Sequence, residues 1–106
     1  MSKPVFPDII RSLPAFTGPF DAFQLSAENC TVLFASYPAA TDIAEHSHET
    51  ENIGVITRGE LILTVAGETR RYGPGDWYHL LPDQPHAARF DCETSEIEFW
   101  FAAPGD

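Results

Sequence analysis

The chain has 106 residues, 43% hydrophobic and 12% aromatic, which is the composition of one globular domain with one core and too short for two. Sixteen acidic residues against six basic ones give a formal net charge of −10. That balance argues against nucleic acid and anionic membrane surfaces as partners, because phosphate binding needs clustered Lys and Arg.

Residues 1–20 carry Pro4, Pro7, Pro14 and Pro19 and little periodicity, so they read as an irregular arm with one helical turn predicted at Asp8–Ser12. The arm has no apolar run of signal-peptide length, and no stretch of the chain approaches the ~18 apolar residues of a membrane span. Cys30 and Cys92 form no C-x-x-C pair; they permit one disulfide without implying it. The default reading is a cytoplasmic protein with reduced thiols. From residue 21 to 106 a single β domain is predicted. Its strands are Phe20–Leu25, Thr31–Tyr37, Ile53–Thr57, Glu60–Val65, Thr69–Tyr72, Trp77–Leu81, Ala87–Asp91 and Glu96–Phe101. Turn residues separate them, at Glu28-Asn29, Pro38-Ala39-Ala40, Arg58-Gly59, Ala66-Gly67-Glu68, Gly73-Pro74-Gly75 and Asp83-Gln84-Pro85. Short strands at this spacing predict an all-β sandwich or barrel.

The chain has four histidines, and two of them fall in EHSHETENIG, residues 45–54. His46 and His48 differ by two, so on an extended strand both side chains leave one face and can bind one metal ion. A pair of surface histidines beside a turn is the alternative. His86, after the turn in LLPDQPH, adds a third imidazole from a distant strand, and three such ligands make a facial metal site with open positions.

These residues resemble the two motifs of the cupin superfamily, G-x5-H-x-H-x3,4-E-x6-G and G-x5-P-x-G-x2-H-x3-N. Residues 40–59, ATDIAEHSHETENIGVITRG, match the first at His46, His48 and Gly59. Residues 75–90, GDWYHLLPDQPHAARF, match the second at Gly75 and His86. The departures are Ala40 for the first glycine, Leu81, Asp83 and Phe90 for the proline, glycine and asparagine of the second motif, and Asn52 for the carboxylate ligand. Asn52 is therefore the expected fourth ligand, through an amide oxygen, with Glu51 as its substitute if the turn after His48 shifts by one residue. The resemblance implies a jelly-roll β-barrel, a double-stranded β-helix, with one divalent transition metal inside an open end. Zn, Fe, Ni, Mn and Cu all suit imidazole ligands, Mn less well. It also implies a homodimer, with the apolar residues of the arm (Val5, Phe6, Ile9, Ile10, Phe16, Phe20) in the contact.

Other residues carry alternatives. His79 reads first as a packed strand histidine, and otherwise as a donor to a ligand or a pocket acid/base group. Trp77 and Tyr78 alternate, so one of them faces the interior. Phe34, Phe99, Trp100 and Phe101 are core residues or cavity lining. Arg89 is a surface strand residue or an anchor for a substrate carboxylate, and nothing around Cys92 marks a reactive thiol. Three functions stay open: a metalloenzyme acting on a small polar metabolite (a sugar, a carboxylate or a carbonyl compound) by polarising a substrate oxygen or binding dioxygen, a non-catalytic module that binds or senses a small ligand, and a cupin without metal.

Overall fold

The computed structural model describes residues 5–102. A short helix, α1 (Asp8–Arg11), precedes nine strands: β1 (Asp21–Ala27), β2 (Cys30–Tyr37), β3 (Thr41–His46), β4 (Glu51–Arg58), β5 (Leu61–Val65), β6 (Glu68–Tyr72), β7 (Trp77–Leu80), β8 (His86–Phe90) and β9 (Thr94–Phe101). The hairpins close as their turn residues dictate. Ala66 and Gly67, between the paired ends of β5 and β6, both have positive φ, at 52° and 77°, the two-residue turn whose twist matches the strands it joins.

Every ladder is antiparallel. The strands form a five-stranded sheet in the order β1-β2-β9-β4-β7 and a four-stranded sheet in the order β3-β8-β5-β6. Early strands lie beside late ones, β2 beside β9 and β3 beside β8, which is the winding of a jelly roll. Ala35, Tyr37, Ile56, Tyr78 and Leu80 of the larger sheet pack on Leu61, Leu63 and Phe90 of the smaller one. Tyr37 and Phe90 stack between the sheets with ring centroids 4.1 Å apart. Gly54 makes room for this filling, since a Cβ there would lie 2.3 Å from the Tyr78 ring.

Eight of the nine strands coincide with predicted ones. The additional strand is β3, whose sequence TDIAEH has one large apolar residue and so no alternation to read. It is held by pairing with β8, from Thr41↔Phe90 to His46↔His86 across a bulge. The predicted helical turn is α1. Residues 1–4 of the arm and 103–106 of the β domain lie outside the described residues. Within the arm, Phe6 is buried against Phe23 and Phe34, Ala15 bridges to Phe23, and Phe16 packs on Phe20 and Trp100. Much of its apolar surface is thus covered by its own chain, while Val5 and Ile9 stay exposed.

Cys30 and Cys92 are free thiols. Each arginine ends in an exposed ion pair: Arg11 with Asp8, Arg58 with Glu93, Arg70 with Glu68, Arg71 with Glu60, and Arg89 with Asp91. Arg89 therefore points outward, the surface reading of the two. No helix among the described residues is long and apolar enough to cross a membrane.

Candidate metal centre

His46 closes β3 and His86 opens β8, and the ladder sets them directly opposite each other. His48 stands two residues on, where its carbonyl accepts from the Asp83 amide at 2.7 Å. That bond ties the β3–β4 loop to the β7–β8 loop. Ring centroids are 4.3 Å apart for His46 and His86, 4.7 Å for His46 and His48, and 5.2 Å for His48 and His86. One nitrogen from each ring falls within 4.8 Å of the other two.

Two of the tautomers follow from backbone carbonyls, which only accept. His46 Nδ1 donates to Ala44 at 2.8 Å and His86 Nδ1 donates to Gln84 at 3.0 Å. Both rings are thereby oriented with Nε2 free as a lone-pair donor, the arrangement that metal-binding histidines need. The Nε2 atoms of His46 and His48 are 3.1 Å apart. Nitrogens each about 2.1 Å from a common ion lie about 3.0–3.4 Å apart at ordinary coordination angles, so the spacing fits a shared ion. Burial and the two neighbouring imidazoles lower the pKa of His48 to about 4. Burial also lowers that of His86. Both rings therefore stay neutral and able to ligate at pH values where an exposed histidine is protonated.

The two residues expected to complete the site part company. β4 runs without a register shift from Glu51 to Ile56, so its side chains alternate strictly. Asn52 points inward and is buried, opposite Trp100 in register, with its Oδ1 accepting from the Thr50 hydroxyl at 2.6 Å. Glu51 points to the outer face, where it pairs with His79. The shift that would have made Glu51 a substitute ligand does not occur, and His79 is occupied away from the three histidines. Trp100 lines the site, its ring 4.7 Å from that of His48. Phe34 and Phe99 do not; they lie on the outer face against Phe6 and Trp77. Phe101 sits on that same side of β9.

The sequence reading missed Glu96 and Glu98, both buried inside the barrel. Glu96 accepts from the Tyr78 hydroxyl. Glu98 accepts from the Tyr37 hydroxyl at 2.5 Å and from Trp100 Nε1 at 2.9 Å. Burial is the main cause that raises both carboxyl pKa values, that of Glu96 well above the usual range. The tyrosines are pushed up as well, by burial and then by these carboxyls. The alternation of glutamates with apolar residues in β9 was the available signal, and alternation alone does not give the phase. A cleft of ≈ 290 Å³ opens nearby, lined by Leu63, Tyr72, His79 and Gln84 among others. It adjoins the site through Gln84, which holds His86.

Residues 33–101 match the family described as "Cupin domain". The chain is a cupin. A 67-residue stretch of this cupin, 62% of the chain, is 31% identical to a Bacillus subtilis protein named H2HPP isomerase. It spans only 28% of that protein's length. Among solved structures, an RmlC-like cupin from Shewanella frigidimarina superposes with a TM-score of 0.77 at 16% identity, over 91% of this chain and 89% of the other. KdgF from Halomonas sp. gives 0.70 at 20% identity over 82% and 81%. DMSP lyase DddQ from Ruegeria pomeroyi gives 0.71 at 26% identity over 78% of this cupin and 47% of the lyase. Two motif glycines that this cupin lacks leave a trace in its backbone. Ala40 and Asp83, which stand in their places, have φ of 63° and 61°, the left-handed conformation that glycine adopts without strain.

Proposed function

We propose that this cupin holds one divalent transition metal ion on His46, His48 and His86 and uses it on a small polar metabolite, a sugar, a carboxylate or a carbonyl compound. The observation that carries this reading is the convergence of three imidazole nitrogens within 4.8 Å, two of the rings being oriented by backbone carbonyls. Asn52 is the fourth ligand in this reading. Its Oδ1 accepts one bond from Thr50 and keeps a second lone pair. A bound ion would polarise a substrate oxygen. Zn, Fe, Ni, Mn and Cu remain the candidates for these donors. The likeness to proteins named as an isomerase and a lyase supports an enzyme over a passive binding module. The second reading, a ligand-binding or sensing cupin, differs in one observable: it turns over no metabolite.

The free thiols of Cys30 and Cys92 support a reducing, cytoplasmic setting. The apolar outer face of the five-stranded sheet, with Trp77 58% exposed beside Phe99, supports a homodimer.

Metal content tests the site. Protein purified without chelators or an affinity histidine tag should carry about one ion per chain, and His86→Ala should lose it on dialysis. Asn52→Glu, which adds a negative charge to neutral donors, should retain metal more tightly. Glu51→Ala should match wild type, because Glu51 faces away. Full retention by His86→Ala, or no ion in wild type after exposure to each candidate metal, would rule the site out. Turnover by the loaded protein, screened over sugars, carboxylates and carbonyl compounds, separates the enzyme from the binding module.

A further inference from the structure

The histidine site is made of neutral donors, and Asn52 adds no charge. A divalent ion held there would keep its full charge in a partly buried place, where an uncompensated charge is costly. Every arginine is engaged at the surface, so none pairs with the buried acids Glu96 and Glu98. The two unbalanced charges lie at the same end of the interior. Glu98 Oε1 accepts from Trp100 Nε1, and the Trp100 ring lies against His48.

Which acid of the pair is ionised follows from its partners. An indole nitrogen is a donor only, and the tyrosine hydroxyl donates here. Both oxygens of Glu98 are thus acceptors, Oε1 from Trp100 and Oε2 from Tyr37. Glu96 accepts one bond, from Tyr78, so its other oxygen is open to carry a proton, and burial raises its pKa well above the usual range. The pair then holds one proton and one negative charge, and the charge sits on Glu98, the member nearer Trp100.

We infer that Glu98 supplies, from β9, the negative charge that the family's first motif places on β4 and that Asn52 does not provide. It acts at a distance. Its oxygens are not among the donor atoms that lie within 4.8 Å of one another, so it balances a cation without ligating it. Tyr37 and Trp100 fix it in place. Glu98 is a positioning and charge-balancing residue. The inference rests on the metal reading proposed above and adds a residue to it.

Affinity, rather than activity, tests the inference. Zinc and cobalt dissociation constants are measured by chelator competition for wild type, Glu98→Gln, Glu98→Asp and Glu96→Gln, with the visible spectrum of each cobalt-saturated protein. Glu98→Gln should bind 10–100-fold more weakly, the usual loss when a group supporting a metal site is removed. Its cobalt spectrum at saturation should be that of wild type. Glu98→Asp keeps the charge and should stay within about threefold of wild type, as should Glu96→Gln, which replaces a protonated carboxyl by a neutral amide. Should the glutamine variant not fold, Glu98→Met removes the same charge and carries the same expectation. Wild-type affinity in the neutral variants overturns the inference, as does an equal loss in Glu96→Gln. A changed cobalt spectrum overturns it too, by making Glu98 a direct ligand. Wild type that binds neither ion overturns the metal site itself, and the inference with it.

Discussion

Among the three histidines of the site, His48 is the one whose environment most alters its own chemistry. Its folded pKa, about 4, lies below the 6.5 of a free side chain. Between those values the unfolded chain binds more protons than the folded one, so stability increases with pH across this window. It is fully present above pH 6.5 and is lost as pH falls toward 4. His86 contributes in the same direction. Glu96 and Glu98 work against it, because a raised carboxyl pKa makes stability fall as pH rises above about 4.5. Comparing wild type with His48→Gln isolates the histidine. Urea unfolding of the metal-free proteins between pH 7 and pH 4 should show wild type losing on the order of 1 kcal/mol relative to the variant, solvent screening of the half-buried ring reducing the full effect of the shift. Parallel pH dependence of the two proteins would refute the assignment of this shift to His48.

Strand periodicity and turn chemistry are local, and at the level of elements they were the legible part of the sequence. The runs of β-branched and aromatic residues in β2, β4, β5 and β9 announce strands, and Gly59, Gly67 and Gly75 mark turns where φ is positive. What a strand does with its two faces is not local. In TSEIEFWF the usual assignment puts Ile97 and Phe99 inside and the glutamates outside, and the barrel does the reverse. The outer face is apolar too, at Val32, Phe34, Ile53 and Val55, and the inner face has the tyrosine hydroxyls of Tyr37 and Tyr78 to receive carboxyls. A period of two carries no information about phase when both faces offer suitable partners. β3 was hidden for a different reason, since its pairing with β8 is tertiary and its own residues are weak strand formers. The histidines were legible because ligand spacing is a chemical pattern that survives without knowledge of the fold. The turn before β3 gives a test at this scale. Ala40 has φ of 63°, which costs an L-residue roughly 1–2 kcal/mol, part of which glycine returns as chain entropy. Ala40→Gly should raise the urea midpoint, by up to about 1 kcal/mol in stability. A lower or unchanged midpoint would show that the turn holds its alanine without strain.

Over the whole molecule, the covered and uncovered apolar surfaces predict an assembly. Phe6 lies over Phe23 and Phe34 at one side of the larger sheet, while Trp77 on the opposite edge strand and Phe101 on the central strand remain exposed. A second copy placed on this face would bury them about a two-fold axis. Light scattering at micromolar concentration should return twice the 11.7 kDa of one chain, and Trp77→Asp should shift the mass toward the monomer. A monomeric wild type would end the proposal. The direct opposition of His46 and His86 across the β3–β8 ladder has a consequence for assembly of the chain itself. Before that ladder zips, the polypeptide offers an ion only the local pair His46 and His48, and the third nitrogen arrives with the closing of a long loop. An ion that needs all three nitrogens distinguishes the closed chain from the open one. By mass action it strengthens whichever state it selects, by ~2.7 kcal/mol at a hundred times its dissociation constant. The bulged, weakly apolar strand that the sequence barely announces is thus the one whose closure metal supply would control.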